Sequence, residues 1–254
     1  MYKVLLVLAS AAALKRPQHN ALSVRGGALD ADTAIKVGTG LVGASGLYCY
    51  MDPAGNLDKY GVSKPDASAV NMMRWAGGWQ IALAAVFAAE PEKAVGLSGY
   101  IAAWNILALE PVREIMGCPK PSQCAWLAIT SVLGYKTLRG EVSPWALIGV
   151  WGMNGLQQQF MQDKTLEMYQ CKKQSALGKS MMGVAGQQML MAAAYLVALT
   201  QGKSQAEAFG LAWAVGAVLV SKFAFTEADD LGVPKTGPLA WAVISAGIAY
   251  VCSK

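Results

Sequence analysis

The segment Asn71-Met72-Met73-Arg74-Trp75-Ala76-Gly77-Gly78-Trp79 returns in the same frame as Ser180-Met181-Met182-Gly183-Val184-Ala185-Gly186-Gln187-Gln188, an offset of 109 from Met72 to Met181. No other feature restricts the fold so strongly, because a period of that length repeats a bundle of helices rather than one turn or hairpin. The match extends both ways. Gly40, Gly43, Gly46, Leu47, Leu57 and Tyr60 pair with Gly149, Gly152, Gly155, Leu156, Leu166 and Tyr169, and Ala84 and Ala85 pair with Ala193 and Ala194. Beyond a short insertion, Ala94, Gly96 and Leu97 pair with Ala208, Gly210 and Leu211 at offset 114. At offset 115, Gly117, Pro119, Lys120, Ala125, Trp126 and Tyr135 pair with Gly232, Pro234, Lys235, Ala240, Trp241 and Tyr250. The offset only grows, and it grows between apolar runs, where loops tolerate insertions.

Eight apolar runs follow the amino terminus, at 34–51, 70–89, 94–110, 122–136, 143–162, 178–200, 206–224 and 237–252. Pro53, Pro65, Pro91, Pro119, Pro121, Pro144, Pro234 and Pro238 stand between or at the edges of these runs, where they start or stop helices. Charged residues make up 15% of the chain and the mean hydropathy is +0.34, whereas a soluble domain carries about 25% charge. The expected fold is therefore an all-α integral membrane protein: eight transmembrane helices as two tandem, parallel four-helix repeats, 33–141 and 142–254, behind a leader at 1–32. Four helices per repeat is an even number, so both repeats enter the bilayer from the same side and their axis lies along the membrane normal.

The only histidine, His19, falls in the leader. Histidine-ligated haem, zinc or chlorophyll and a Ser-His-Asp triad lack their key residue in the body of the chain, so neither a catalytic set nor a metal site is expected. Five cysteines (Cys49, Cys118, Cys124, Cys171, Cys252) form no Cys-x-x-Cys pair. In the expected topology the first four lie on one side of the membrane, where a Cys118–Cys124 disulfide is conceivable. The net charge of +5 is scattered, which argues against nucleic acid as a partner.

Lipid provides no hydrophobic drive between helices, so close backbone approach must hold the bundle. Gly40, Gly43 and Gly46, with Gly149, Gly152 and Gly155, are read as two ridges nesting the first helix of each repeat against a neighbour. Trp75, Trp79, Trp126, Trp145 and Trp241 are read as an interfacial belt. Amides within apolar runs either bond across helices or contact a ligand. Gln187, Gln188, Asn105 and Asn154 are the candidates, together with Gln157 to Gln159. Glutamine and asparagine can ligate a chlorophyll magnesium, and chlorophyll, carotenoid or lipid are the ligand classes such positions would take. Arg74, early in the second helix, either snorkels to the interface or captures an anionic head group.

Lys3, the run Val4 to Ala9 and the small residues Ser10 to Ala13 read as a signal peptide. Behind it, residues 15–29 carry Lys15, Arg16, His19 and Arg25 and no acidic side chain. This two-part leader resembles the plastid-targeting leaders of algae with secondary plastids, although Leu14 stands where an aromatic residue is usual. An ordinary secretory signal is the alternative. Each repeat, with its glycine-rich first helix, proline-containing polar loop and Gly77-Gly78 in the second helix, faintly resembles the DoxX-like tetraspan membrane proteins. The light-harvesting antenna signature is absent after Glu110 and Glu114. The resulting expectation is a non-catalytic accessory or scaffolding subunit of a plastid thylakoid assembly such as a photosystem supercomplex, with membrane lipids and other membrane subunits as partners. A small-molecule or lipid carrier, or a DoxX-like redox-associated protein, is the alternative.

Overall fold

Asp30 starts the first helix by accepting a hydrogen bond from the Thr33 amide at 2.7 Å, which satisfies one of the amides a helix start leaves open. The computed structural model describes residues 30–254, and the leader up to residue 29 lies outside the described residues. The first helix begins at Ala31, ahead of the expected boundary at 33.

Eight long helices fall on the eight apolar runs, and three seven-residue helices join them among the described residues. In chain order they are α1 (Ala31–Met51), α2 (Pro53–Lys59), α3 (Ala67–Ala88), α4 (Ala94–Ala108), α5 (Glu110–Met116), α6 (Lys120–Leu138), α7 (Trp145–Phe160), α8 (Gln162–Met168), α9 (Ala176–Thr200), α10 (Gln205–Thr226) and α11 (Thr236–Cys252). No strand occurs among the described residues.

The 109-residue offset reappears in the backbone. α2 and α8 begin and end 109 residues apart, as Pro53–Lys59 and Gln162–Met168. Asp66 and Ser175, also 109 apart, cap α3 and α9 by accepting from the Ala69 and Gly178 amides. Val62 donates to the Leu57 carbonyl at 3.0 Å as Cys171 donates to Leu166 at 2.8 Å. Gly61 (φ 80°) and Gln170 (φ 53°) are both left-handed, as are Gly117 (φ 70°) and Gly232 (φ 67°). Gln170 carries a side chain where its counterpart is glycine, so it bears a strain that Gly61 avoids.

Packing follows the same rule. Within the first half α1 lies along α3 and α4 along α6; within the second, α7 lies along α9 and α10 along α11. Across the halves α3 packs on α9, α1 touches α10 and α11, and α7 touches α4 and α6. Each cross-half contact thus has a partner with the halves exchanged. A Cβ added to Gly77 would lie 2.7 Å from the Gly46 carbonyl oxygen, and one added to Gly186 would lie 2.7 Å from that of Gly155. Both are points of close backbone approach between helices.

The expected glycine ridges need correction. Only Gly46 and Gly155 are packed tightly against backbone. Gly43 and Gly152 would bring a Cβ to ordinary contact distance, 3.4 Å from the Ala84 Cβ and 3.9 Å from that of Ala193, and Gly40 and Gly149 face nothing within 4 Å.

Among the described residues two helices, α9 and α10, are long and apolar enough to cross a membrane; α4 and α5, bent by 56° at their junction, make a third if the pair is one span. That is fewer than the eight spans expected. α4, α7 and α11 are short, with 15, 16 and 17 residues. α1, α3 and α6 are long enough but diluted by glycine and by polar residues such as Asp32, Lys36, Asn71, Arg74, Gln80, Gln123 and Lys136. The bend follows from Pro111, which removes a backbone donor and disfavours helical geometry at the residue before it.

The outer faces are apolar. Leu47, Met51, Ile115, Val132, Phe160 and Ile244 are exposed, and Val218, Phe225 and Val243 are 68%, 68% and 72% exposed. Each such side chain would favour burial by about 1.5–3 kcal/mol, so this surface is unsuited to water and suited to lipid. Charges gather at the two ends of the bundle, as in Lys93–Glu90 and Lys203–Glu207 at one end and Lys179–Asp163 and Lys235–Asp229 at the other.

Candidate functional site

A cavity of about 130 Å³ lies where α3, α4, α6, α7 and α9 meet, between the two halves. Four indoles line it, those of Trp75, Trp79, Trp126 and Trp151, with Met182, Met189, Ile106 and Leu166. The Trp79 ring stands edge-on to Trp75 at 6.2 Å and to Trp151 at 5.4 Å. Flat rings at steep angles pack favourably in pairs but leave wedge-shaped space between them. The volume is close to that of an engineered cavity of about 150 Å³ that admits benzene. It takes one ring or a length of chain, and it is too small for a chlorophyll macrocycle.

Most polar side chains on the wall are engaged within the protein. Trp75 Nε1 donates to Gln158 Oε1 at 3.0 Å, and Gln158 Nε2 points to Met189 Sδ at 3.5 Å. Asn154 Nδ2 donates to the Val150 carbonyl at 2.9 Å, and Gln123 Nε2 to that of Ile106 at 2.9 Å. Trp151 Nε1 reaches Ser98 Oγ at 3.2 Å, tying α7 to α4. Two wall donors, Trp79 Nε1 and Arg113 Nε, are buried without a partner among the described residues. The rest of the Arg113 guanidinium is held by the Cys118 carbonyl and by Glu114.

A disulfide closes one end. Cys118, after α5, is joined to Cys171, after α8, and both border the cavity. The conceivable Cys118–Cys124 pair is therefore corrected: Cys124 is a free, exposed thiol on α6. Beside the disulfide, Trp126 lies against Tyr169, whose hydroxyl donates to Asn154 Oδ1 at 3.4 Å. Tyr60 and Trp241, the counterparts of Tyr169 and Trp126, are hydrogen-bonded at 2.7 Å on the opposite flank, with the indole N–H donating to the phenol oxygen. Burial pushes both phenols above the usual tyrosine range, and the neighbouring indole works against that shift.

The residues singled out from sequence are scattered. Asn154 borders the cavity, whereas Asn105, Gln187, Gln188 and Arg74 do not. Asn105 is buried on α4 with its Oδ1 against Gly78 of α3, and its Nδ2 has no partner among the described residues. Gln188 is buried on α9 and Gln187 half-buried beside it. Arg74 Nε donates to the Tyr50 carbonyl at 3.2 Å, in the last turn of α1, where a cation complements the helix dipole. The interfacial reading of the tryptophans needs correction as well. Trp145 is 50% exposed, but Trp79 is 6% exposed and belongs to the core.

The chain matches no family model, no curated protein and no solved structure.

Proposed function

We propose that the chain is an integral membrane protein of eight helices. Two four-helix units, 33–141 and 142–254, stand side by side about an axis along the membrane normal. In this reading the protein is a non-catalytic accessory or scaffolding subunit of a plastid thylakoid assembly such as a photosystem supercomplex. The outer surface carries the proposal: exposed Leu, Ile, Val, Phe and Met side chains cover the helices between two charged ends, a surface that lipid or a neighbouring membrane subunit would cover. The matched contacts, Tyr60–Trp241 with Tyr169–Trp126 and Gly46–Gly77 with Gly155–Gly186, support two units of like orientation. Assignment to the thylakoid rests on the leader resemblance alone.

Mild solubilisation of native membranes, followed by native electrophoresis and mass spectrometry, tests this reading. Co-migration with pigment–protein subunits is the expected outcome. A colourless, monodisperse monomer would refute it and favour the second reading, a carrier of a small apolar molecule, to which the cavity between the units lends support.

A further inference from the structure

We infer that the cavity between the units holds one acyl chain of a membrane lipid, drawn in sideways between α6 and α7 and lying along the helices. The inference rests on the membrane-spanning reading and goes beyond the scaffolding one.

Surface, shape and mouth select that occupant. The surface that the cavity presents is almost wholly apolar, because the polar groups of its wall are engaged within the protein. Gln158 is taken by Trp75 and turned to the Met189 sulfur. Asn154 bonds the Val150 carbonyl and the Tyr169 hydroxyl, and Thr130 Oγ1 donates to the Trp126 carbonyl at 2.8 Å. The two wall donors without a partner among the described residues, Trp79 Nε1 and Arg113 Nε, present almost no accessible surface. A ligand with polar atoms would bury them unpaired there, at a cost that a hydrocarbon does not bear.

The space is also slender. Its wall runs from Ser122 to Thr130 on α6, from Val150 to Gln158 on α7 and from Met182 to Met189 on α9, about 10–12 Å along each helix. A volume of about 130 Å³ spread over that height suits a chain better than a single ring. The mouth faces outward. α6 and α7 touch only sparsely, and the wall residues Trp126 and Val150 on them are half-buried, whereas Trp79, Met182 and Met189 behind are buried. Ile129 and Met153 are exposed on the outer faces of the same two helices, where lipid tails lie in the membrane-spanning reading. Tails are as apolar as the wall, so transfer out of water is not the drive. The drive is the filling of a dry space whose lining otherwise lacks contacts on one side.

The test places the purified full chain in phosphatidylcholine vesicles that include a phosphatidylcholine with a diazirine at mid-chain, and maps the adducts by mass spectrometry after illumination. Adducts on outward residues such as Val218 and Val243 report lipid around the bundle; adducts on Met182 or Met189 report a chain inside it. Both sets are expected. Ala102→Phe puts a ring into the space and should abolish the inward adducts while leaving the outward ones. If Ala102→Phe fails to fold, Val150→Trp, at the half-buried mouth, should have the same effect. Outward adducts alone, or inward adducts unchanged in the folded variant, would overturn the inference. Absence of both sets would overturn the membrane-spanning reading with it. A rise in unfolding midpoint with benzene, without inward adducts, would assign the cavity to a ring instead.

Discussion

Replacing single glycines by alanine separates those that set the helix spacing from those that merely lie in the sequence pattern. At Gly77 the added Cβ would sit 2.6 Å from the Tyr50 nitrogen and 2.7 Å from the Gly46 oxygen, both backbone atoms; at Gly186 it would sit 2.6 Å from the Gln159 nitrogen and 2.7 Å from the Gly155 oxygen. Neither pair of atoms can swing aside as a side-chain end would, so α1 must move off α3, or α7 off α9, by several tenths of an ångström. Overpacking of this kind costs about 1–3 kcal/mol, against which alanine returns about 1 kcal/mol of helix propensity. At Gly40 and Gly149 nothing lies within 4 Å, and only the propensity gain remains. Gly77→Ala and Gly186→Ala should therefore be less stable than Gly40→Ala and Gly149→Ala by about 1–3 kcal/mol. The assay is reversible unfolding in mixed micelles with increasing sodium dodecyl sulfate, followed by tryptophan fluorescence. If Gly77→Ala proves as stable as Gly40→Ala, close packing at that crossing is wrong. If Gly186→Ala departs from Gly77→Ala by more than about 1 kcal/mol, the two crossings are not equivalent.

Four further outcomes are expected. The Cys118–Cys171 disulfide closes a sequence separation of 53 residues, for which chain entropy sets a ceiling of about 4 kcal/mol; Cys171→Ser should lower the unfolding midpoint and Cys124→Ser should not. Nicking the 139–144 loop should leave two halves that run together on a non-reducing gel and part on reduction. The raised phenols of Tyr60 and Tyr169 favour the neutral form in the folded state, so their contribution is complete below the unfolded value of about 10 and is lost as pH rises above it. An alkaline loss of stability that persists unchanged in the Tyr60→Phe, Tyr169→Phe double variant would assign it elsewhere. In sealed vesicles, an impermeant thiol reagent should label Ser63→Cys and Gln174→Cys from one face and Glu141→Cys and Lys203→Cys from the other. Labelling of all four from one face would rule out the spanning arrangement.

The eight long helices were legible because apolar runs and boundary prolines both mark helix ends, and α1, α9 and α11 fall within three residues of the runs at 34–51, 178–200 and 237–252. The short helices α2, α5 and α8 were not, since seven polar-rich residues carry no period. The glycine ridges failed for a geometric reason. A step of three residues turns a helix by about 300°, so Gly40 and Gly46 lie about 120° apart around α1 and cannot both face α3. The disulfide was hidden because Cys118 and Cys171 meet only once two separate loops come together, while Cys124 is near Cys118 in sequence but sits on the exposed side of α6. Trp79 was read as interfacial with the other tryptophans, yet it stands at the middle of α3, on a face that packs against the second half.

The cavity was the least legible feature, because it arises where the two halves stop being alike. The repeated residues account for what the halves share: the Gly46–Gly77 crossing, the left-handed turns and the Tyr–Trp pairs. The cavity depends on residues that are not repeated. Pro111 breaks the third helix of the first half into α4 and α5, while α10 runs unbroken from Gln205 to Thr226. The break lays α5 across one end of the space, bringing Arg113, Met116 and Cys118 to its wall. It also shortens the contact of α4 with α3, whereas α10 lies closely along α9. Trp75, Trp79 and Trp151 occupy places taken in the other half by Val184, Gln188 and Val42. Large rigid rings beside a foreshortened helix cannot close the gap as smaller, more pliant side chains would. The repeat therefore explains how the bundle stands, and the departures from it explain why a cavity opens on this flank.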